Sequence, residues 1–115
     1  MKKQFTLSGS QFQCKRHPDG DIIVYTADRN GELQEKSAIV ITTYTVDLVM
    51  NALKKHREIV MGASRDKPPA NSLGALLKKE KQSPQQLSYL IPILTEADVC
   101  EYRRDGRAFI IIQKY

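Results

Sequence analysis

Residues 83–107 read Ser83-Pro-Gln-Gln-Leu-Ser-Tyr-Leu-Ile-Pro-Ile-Leu-Thr-Glu-Ala-Asp-Val-Cys-Glu-Tyr-Arg-Arg-Asp-Gly-Arg107. The stretch carries both a helix start and a hairpin turn. Ser83 reads as an N-cap, Pro84 fits the first helical position, and Ser83-x-x-Gln86 has the spacing of a capping box, in which two side chains satisfy orphan backbone amides. Leu87, Leu90, Ile91, Leu94 and Ala97 then recur at helical spacing and predict one inward stripe. That leaves Gln85, Gln86, Ser88, Tyr89 and Pro92 toward the open side. Pro92 removes the hydrogen bond to residue 88 and is expected to kink the helix or end its regular part early. Beyond it, Asp105-Gly106 lies between the strand-like runs 99–103 and 107–113, a two-residue hairpin signal. The tip is Arg103-Arg104-Asp105-Gly106-Arg107.

Working toward the N-terminus, a short helix precedes this one. Asn71 or Ser72 caps it, Leu73, Leu76 and Leu77 face inward, and Lys78, Lys79 and Lys81 lie near its end, where cations suit the helix dipole. Pro68 and Pro69 mark residues 62–70 as a loop. Before the loop, Val46, Val49, Met50, Leu53, His56 or Arg57, and Val60 keep a helical period, with Thr45 as the expected N-cap. The first 44 residues change character. Pro18-Asp19-Gly20 and Asn30-Gly31 are turn sequences, and Phe12–Lys15, Asp21–Thr26 and Lys36–Thr42 are rich in β-branched and aromatic residues, which predicts a three-stranded antiparallel meander. The run Ala38 to Ile41, apolar on both faces, points to a strand covered on both sides.

The expected class is therefore α+β. Residues 1–44 form the meander, as part of the same compact domain or as a dimerisation element. Residues 45–115 follow the order helix, helix, helix, hairpin, which is the order of a winged helix-turn-helix.

Composition agrees with one globular domain: 115 residues, 41% hydrophobic and 27% charged, exclude a disordered or fibrous chain. Lysine and arginine number 18 against 13 acidic residues, a net charge of +5. Twelve basic and eight acidic residues fall after residue 44, and six and five before it. Most of the surplus therefore belongs to the helical part, and nucleic acid is the first polyanion to consider. The longest apolar run, Ala108 to Ile112, is far short of the ~20 residues that span a bilayer, and no apolar stretch follows Lys2 and Lys3. A soluble, cytoplasmic protein with no membrane partner is expected. Cys14 and Cys100 lie in no CxxC pattern, so reduced thiols are expected. Cys14-x-x-His17 has a ligand spacing, but the other candidates, His56 and Cys100, belong to other elements, so neither metal nor cofactor is expected. There is no glycine-rich phosphate loop, nucleophile elbow or paired-carboxylate motif, so the chain is not expected to be an enzyme.

Residues 72–113 resemble the DNA-binding half of the arsenical-resistance-repressor family of winged-helix regulators. In that family a serine opens the recognition helix, a second serine lies five positions on, a Leu-x-x-Leu-x-x-Ala stretch closes it, and a basic turn forms the wing. Ser83, Ser88, Ile91, Leu94, Ala97, Arg104, Gly106 and Arg107 occupy those places. The resemblance implies a homodimer that binds double-stranded DNA as a transcriptional regulator. Its third helix would lie in the major groove, with Ser83, Gln85, Gln86, Ser88 and Tyr89 toward the bases and Arg103, Arg104 and Arg107 on phosphate or the minor groove. Where the family carries arginine or histidine on that helix, this chain has Tyr89 and Leu90. Phosphate attraction would then fall to Lys78, Lys79, Lys81 and the wing arginines. Asp98 stands where the family has a glycine before the wing, and Asp tolerates the left-handed conformation such a turn needs. The family's cysteine-rich metal-sensing motif is missing. The alternative is a winged-helix module that docks on another protein and does not bind DNA.

Overall fold

The computed structural model describes residues 3–28, 30–63 and 67–114, and shows an α+β fold of three helices and two antiparallel sheets. The first sheet has the order β1-β2-β3-β4, from β1 (Lys3–Phe5), β2 (Gln11–Arg16), β3 (Ile22–Thr26) and β4 (Ile39–Ile41). It is thus a four-stranded meander where three strands were expected. The added strand, β1, is three residues long, too short to show an alternating pattern, and is held by its pairing with β2. Pro18-Asp19-Gly20 turns the chain as expected: His17 N–H donates to the Asp21 carbonyl at 2.7 Å, and the Asp19 carboxylate accepts from Asp21 N–H at 2.9 Å.

Asn30-Gly31 does not join two strands directly. Asp28 closes a local turn there, its Oδ1 accepting from the Asn30 and Glu32 amides, and a 3-10 turn at Glu35–Ser37 precedes β4. Residues 36–38 of the expected third strand fall in or beside that turn. β4 is also a sheet edge, with Ile41 fully buried and Val40 47% exposed. The run is therefore covered chiefly on the face of Ile41, and the face of Val40 is open at the sheet edge.

α1 spans Thr43–Lys55, and its N-cap is Thr42, whose hydroxyl accepts from Thr45 N–H. Thr45 is instead buried inside the first turn. The helical period does not continue to Val60. The chain leaves the helix at His56 and forms β5 (Glu58–Val60), because Ile59 and Val60 gain strand partners in the C-terminal hairpin. Tertiary pairing overrides a period that is compatible with either structure.

α2 (Leu73–Lys79) is capped by Ser72, which accepts from Ala75 N–H at 3.0 Å, so of the two expected caps it is Ser72 that acts. α3 (Leu87–Glu96) is preceded by a 3-10 turn at Pro84–Gln86. Pro92 is buried within α3 and neither ends it nor faces solvent, since the helix runs on to Glu96. Ala97 is an exposed C-cap outside the apolar stripe. Asp98 follows at φ 65°, the left-handed residue that turns the chain toward the hairpin. β6 (Cys100–Asp105) and β7 (Ala108–Gln113) form that hairpin, but its two loop residues are Gly106 and Arg107, one position on from the expected Asp105-Gly106, with Gly106 at φ 63°. The second sheet has the order β5-β7-β6.

One buried cluster runs through both parts of the chain. Phe12, Val24 and Ile41 of the first sheet belong to it with Val49 of α1, Leu73 and Leu77 of α2, Leu87, Leu90 and Ile91 of α3, and Ile111 of β7. α3 sits centrally. Its Leu87-Leu90-Ile91-Leu94 stripe is buried as expected, and its Tyr89 ring meets Phe12 edge-on at 5.3 Å between centroids. The first sheet thus lies against a second side of the same helix.

Candidate nucleic-acid interface

The hairpin presents two different faces. Cross-strand partners share a face, so Tyr102, opposite Ile111, and Arg104, opposite Phe109, stand on the side that continues the core outward. Deep in the molecule that side carries Cys100 and Ile111, both buried. Farther out, Tyr102 is 44% exposed, its ring 6.1 Å from that of Phe109 in an edge-to-face arrangement. The Arg104 guanidinium lies 5.6 Å from the Phe109 ring centre, and its Nε donates to the Gly106 carbonyl at 3.1 Å. These contacts hold the arginine by its stem and one nitrogen and leave the rest of its charged fork exposed at the tip.

On the opposite face, Arg103 makes a two-point ion pair with Glu58 of β5, Nη1 to Oε1 at 2.8 Å and Nη2 to Oε2 at 3.3 Å. The register puts the pair over Ile110 and Ile112 of the strand between them. Hydrogen bonding to Arg103, reinforced by its charge, holds the Glu58 carboxyl below its usual range, and the same contact raises the Arg103 pKa. Arg103 is thus committed to the sheet, whereas Arg107, in the hairpin loop, is exposed and has no ion pair among the described residues.

The remaining expected residues divide into two groups. Lys78 and Lys79 occupy the last turn of α2, and Lys81 follows in a left-handed conformation at φ 60°, all three exposed. Ser83, Gln85, Gln86, Ser88 and Tyr89 come together along one cleft of about 310 Å³, which Ile39 and Ala63 also line. Ser83 precedes a 3-10 turn and makes no side-chain capping bond. The expected capping box is not formed: the tighter turn brings Gln86 N–H to the Ser83 carbonyl at 3.2 Å, and Gln86 Oε1 is buried without a hydrogen-bond partner. Ser88 and Tyr89 are half-buried, and of this group only Ser83 and Gln85 are exposed.

Comparisons with protein-family models, with curated proteins and with solved structures find no match.

Elsewhere, the Cys14 and His17 side chains are engaged separately. Gln4 Nε2 donates to the Cys14 sulfur at 3.2 Å, and His17 Nδ1 lies 3.0 Å from Asp19. Burial pushes the Cys14 and Cys100 thiols up, so both are protonated near neutrality. No group of three or more metal-ligating side chains occurs among the described residues, and no helix among them is long and apolar enough to cross a membrane. Sequence reasoning missed Tyr102 and Phe109 as part of the hairpin surface. The signal was present: with a two-residue loop, strict alternation places Tyr102, Arg104 and Phe109 on one face.

Proposed function

We propose that the protein binds double-stranded DNA through its C-terminal hairpin, as a winged-helix module in which the ribbon rather than the third helix makes the principal contact. The winged-helix reading is supported by the order α1, β5, α2, α3, β6, β7, with β5 joining the hairpin along β7. The observation that carries the binding mode is the pair of exposed arginines, Arg104 and Arg107, at the end of a ribbon that also exposes Tyr102. A two-stranded ribbon can enter the major groove, and arginines at its tip can reach phosphates or the narrower minor groove. α3 is a poorer reader than the sequence suggests. A helix needs its outer face free to enter a groove roughly 12 Å wide, and here Tyr89 packs on Phe12 while Pro92 is buried.

Titration of a random-sequence duplex at two salt concentrations tests this. Binding weakens as salt rises, because neutralised phosphates release counterions. Arg104→Ala with Arg107→Ala flattens the plot of log affinity against log salt by about 1.8, two contacts at ~0.9 each. A slope unchanged by the double substitution removes the ribbon from the interface, and absence of binding at low salt ends the DNA reading altogether.

The second reading, a winged-helix module that docks on another protein, is favoured by the outer strands of the first sheet. β1 and β4 are its edges, and they expose Phe5 and Val40. Open strand edges with apolar side chains favour pairing with another chain. The homodimer implied by the resemblance would use the same edges. If the duplex titration shows no salt-dependent binding, this reading takes its place.

A further inference from the structure

A concavity beside the hairpin lies where the two sheets approach each other. It is a cleft of about 520 Å³, within the ~300–1,000 Å³ usual for small-molecule sites. Three main parts of the chain build it: the β1–β2 turn at Thr6–Ser8, the end of β5 with Met61–Ala63 and, beyond them, Lys67 and Pro69, and the tip of the hairpin at Arg107–Phe109, with Ser88 of α3 also in the lining. Its wall is mostly apolar, with Leu7, Val60, Met61 and Phe109 as the larger side chains. Its polar groups are few and of one kind. They are hydroxyls and the cations Arg107 and Lys67, and no acidic residue lines the cleft among those described.

We propose that this cleft binds a small organic acid with a flat or branched apolar body, its carboxylate held by the Arg107 guanidinium and its body against Leu7, Met61 and Phe109. The chemistry follows from the lining. An apolar body gains by leaving water for that wall. An arginine fork matches a carboxylate in two-point geometry. A neutral ligand would forgo the charged contact, and an inorganic anion would leave the apolar wall unfilled. The site needs all three parts of the chain in place, so it exists only in the folded protein. The cleft shares Arg107 with the proposed DNA contact, whereas Leu7, Met61 and Ser88 line the cleft and take no part in that contact.

The test is titration of the full chain with 2-naphthoate, followed by amide chemical shifts and calorimetry, with 2-naphthalenemethanol as the neutral control. Shifts are expected to concentrate at Leu7, Ser8, Met61–Ala63, Ser88 and Phe109. The alcohol should bind about tenfold or more weaker, as expected from losing a charge-assisted hydrogen bond. Arg107→Gln lowers naphthoate affinity by a similar factor, whereas Arg104→Ala, outside the cleft, leaves it unchanged. Ala63→Leu, which fills the cleft, weakens acid and alcohol alike. Equal binding of the acid and the alcohol, shifts centred elsewhere, or full affinity in Arg107→Gln each overturn the proposal. Weaker, less salt-dependent duplex binding in Arg104→Ala with naphthoate binding intact distinguishes a failure of the DNA reading from a failure of this one.

Discussion

Gly74→Ala abolishes the native fold under conditions where the parent is stable. A Cβ on Gly74 would lie 1.6 Å from the Gly62 carbonyl oxygen and 2.7 Å from its carbon. These are backbone atoms that no rotamer change can move aside. The approach is close for a reason: Gly74 N–H donates to the Met61 carbonyl at 2.9 Å, which seats the first turn of α2 on the segment leaving β5. Gly62 is as constrained, at φ 62° with Ser72 Oγ 2.3 Å from where its own Cβ would be. Ser72 cannot retreat, because its hydroxyl both caps α2 and donates to the Pro69 carbonyl at 2.6 Å. Relieving the overlap means lifting α2 off the core, with Leu73 and Leu77 attached to it. The cost is at least about 4 kcal/mol, in the range reserved for severe packing faults. In a thermal melt this is a drop of roughly 15 °C or more, or no transition at all. Gly31→Ala is the control, since Gly31 is also left-handed, at φ 82°, but has open space around it. It should cost only about 1 kcal/mol. A Gly74→Ala protein that melts within a few degrees of the parent would show that the two glycines do not touch.

Phe12→Ala is expected to cost about 3–5 kcal/mol, read from the urea midpoint. Phe12 is fully buried, on the strand that pairs with both β1 and β3, and its ring is the first sheet's aromatic contact with Tyr89 of α3. Its removal opens a cavity and forfeits an edge-to-face pair worth about 1 kcal/mol beyond area. Phe12→Leu, which keeps most of the volume, should cost less than half as much. Because Phe12 and α3 share one cluster, the alanine variant should lower stability in a single transition. Separate transitions for the first sheet and the helices would show that the meander is an independent unit.

How much of this could be read from the residues depended on where the deciding forces lie. Elements set by neighbours in sequence were legible: the Pro18-Asp19-Gly20 turn, the leucine stripes of α2 and α3, and the hairpin at Gly106 follow from local sterics and spacing. Elements set by distant partners were not. Val60 fits a helical period, and only its pairing with Ile110, beside that of Ile59 with Ile111, makes this segment a strand. β1 is invisible without β2. Pro92 was expected to kink its helix or end its regular part early, and α3 instead runs past it to Glu96. Within the candidate interface, the arginines were found by type and turn. Their fates differ for reasons no spacing carries: Arg103 is drawn away by Glu58, and Arg104 is steadied by Phe109. The glutamines and Tyr89 did converge, but along a half-buried cleft, because the first sheet packs against the helix that bears them.

The pairing of Glu58 with Ile112 and of Val60 with Ile110 has a further meaning. Between those strands the chain leaves to make α2 and α3 and then returns, so β5 and β7 act as a clasp that closes both helices into one loop. Closing so long a loop costs only slowly more entropy than closing a short one, and the clasp is made of backbone hydrogen bonds backed by buried isoleucine. Neither helix can leave the core far without straining that clasp. α2 and α3 are therefore expected to open as one cooperative unit, read as a shared opening free energy of their amides in hydrogen exchange.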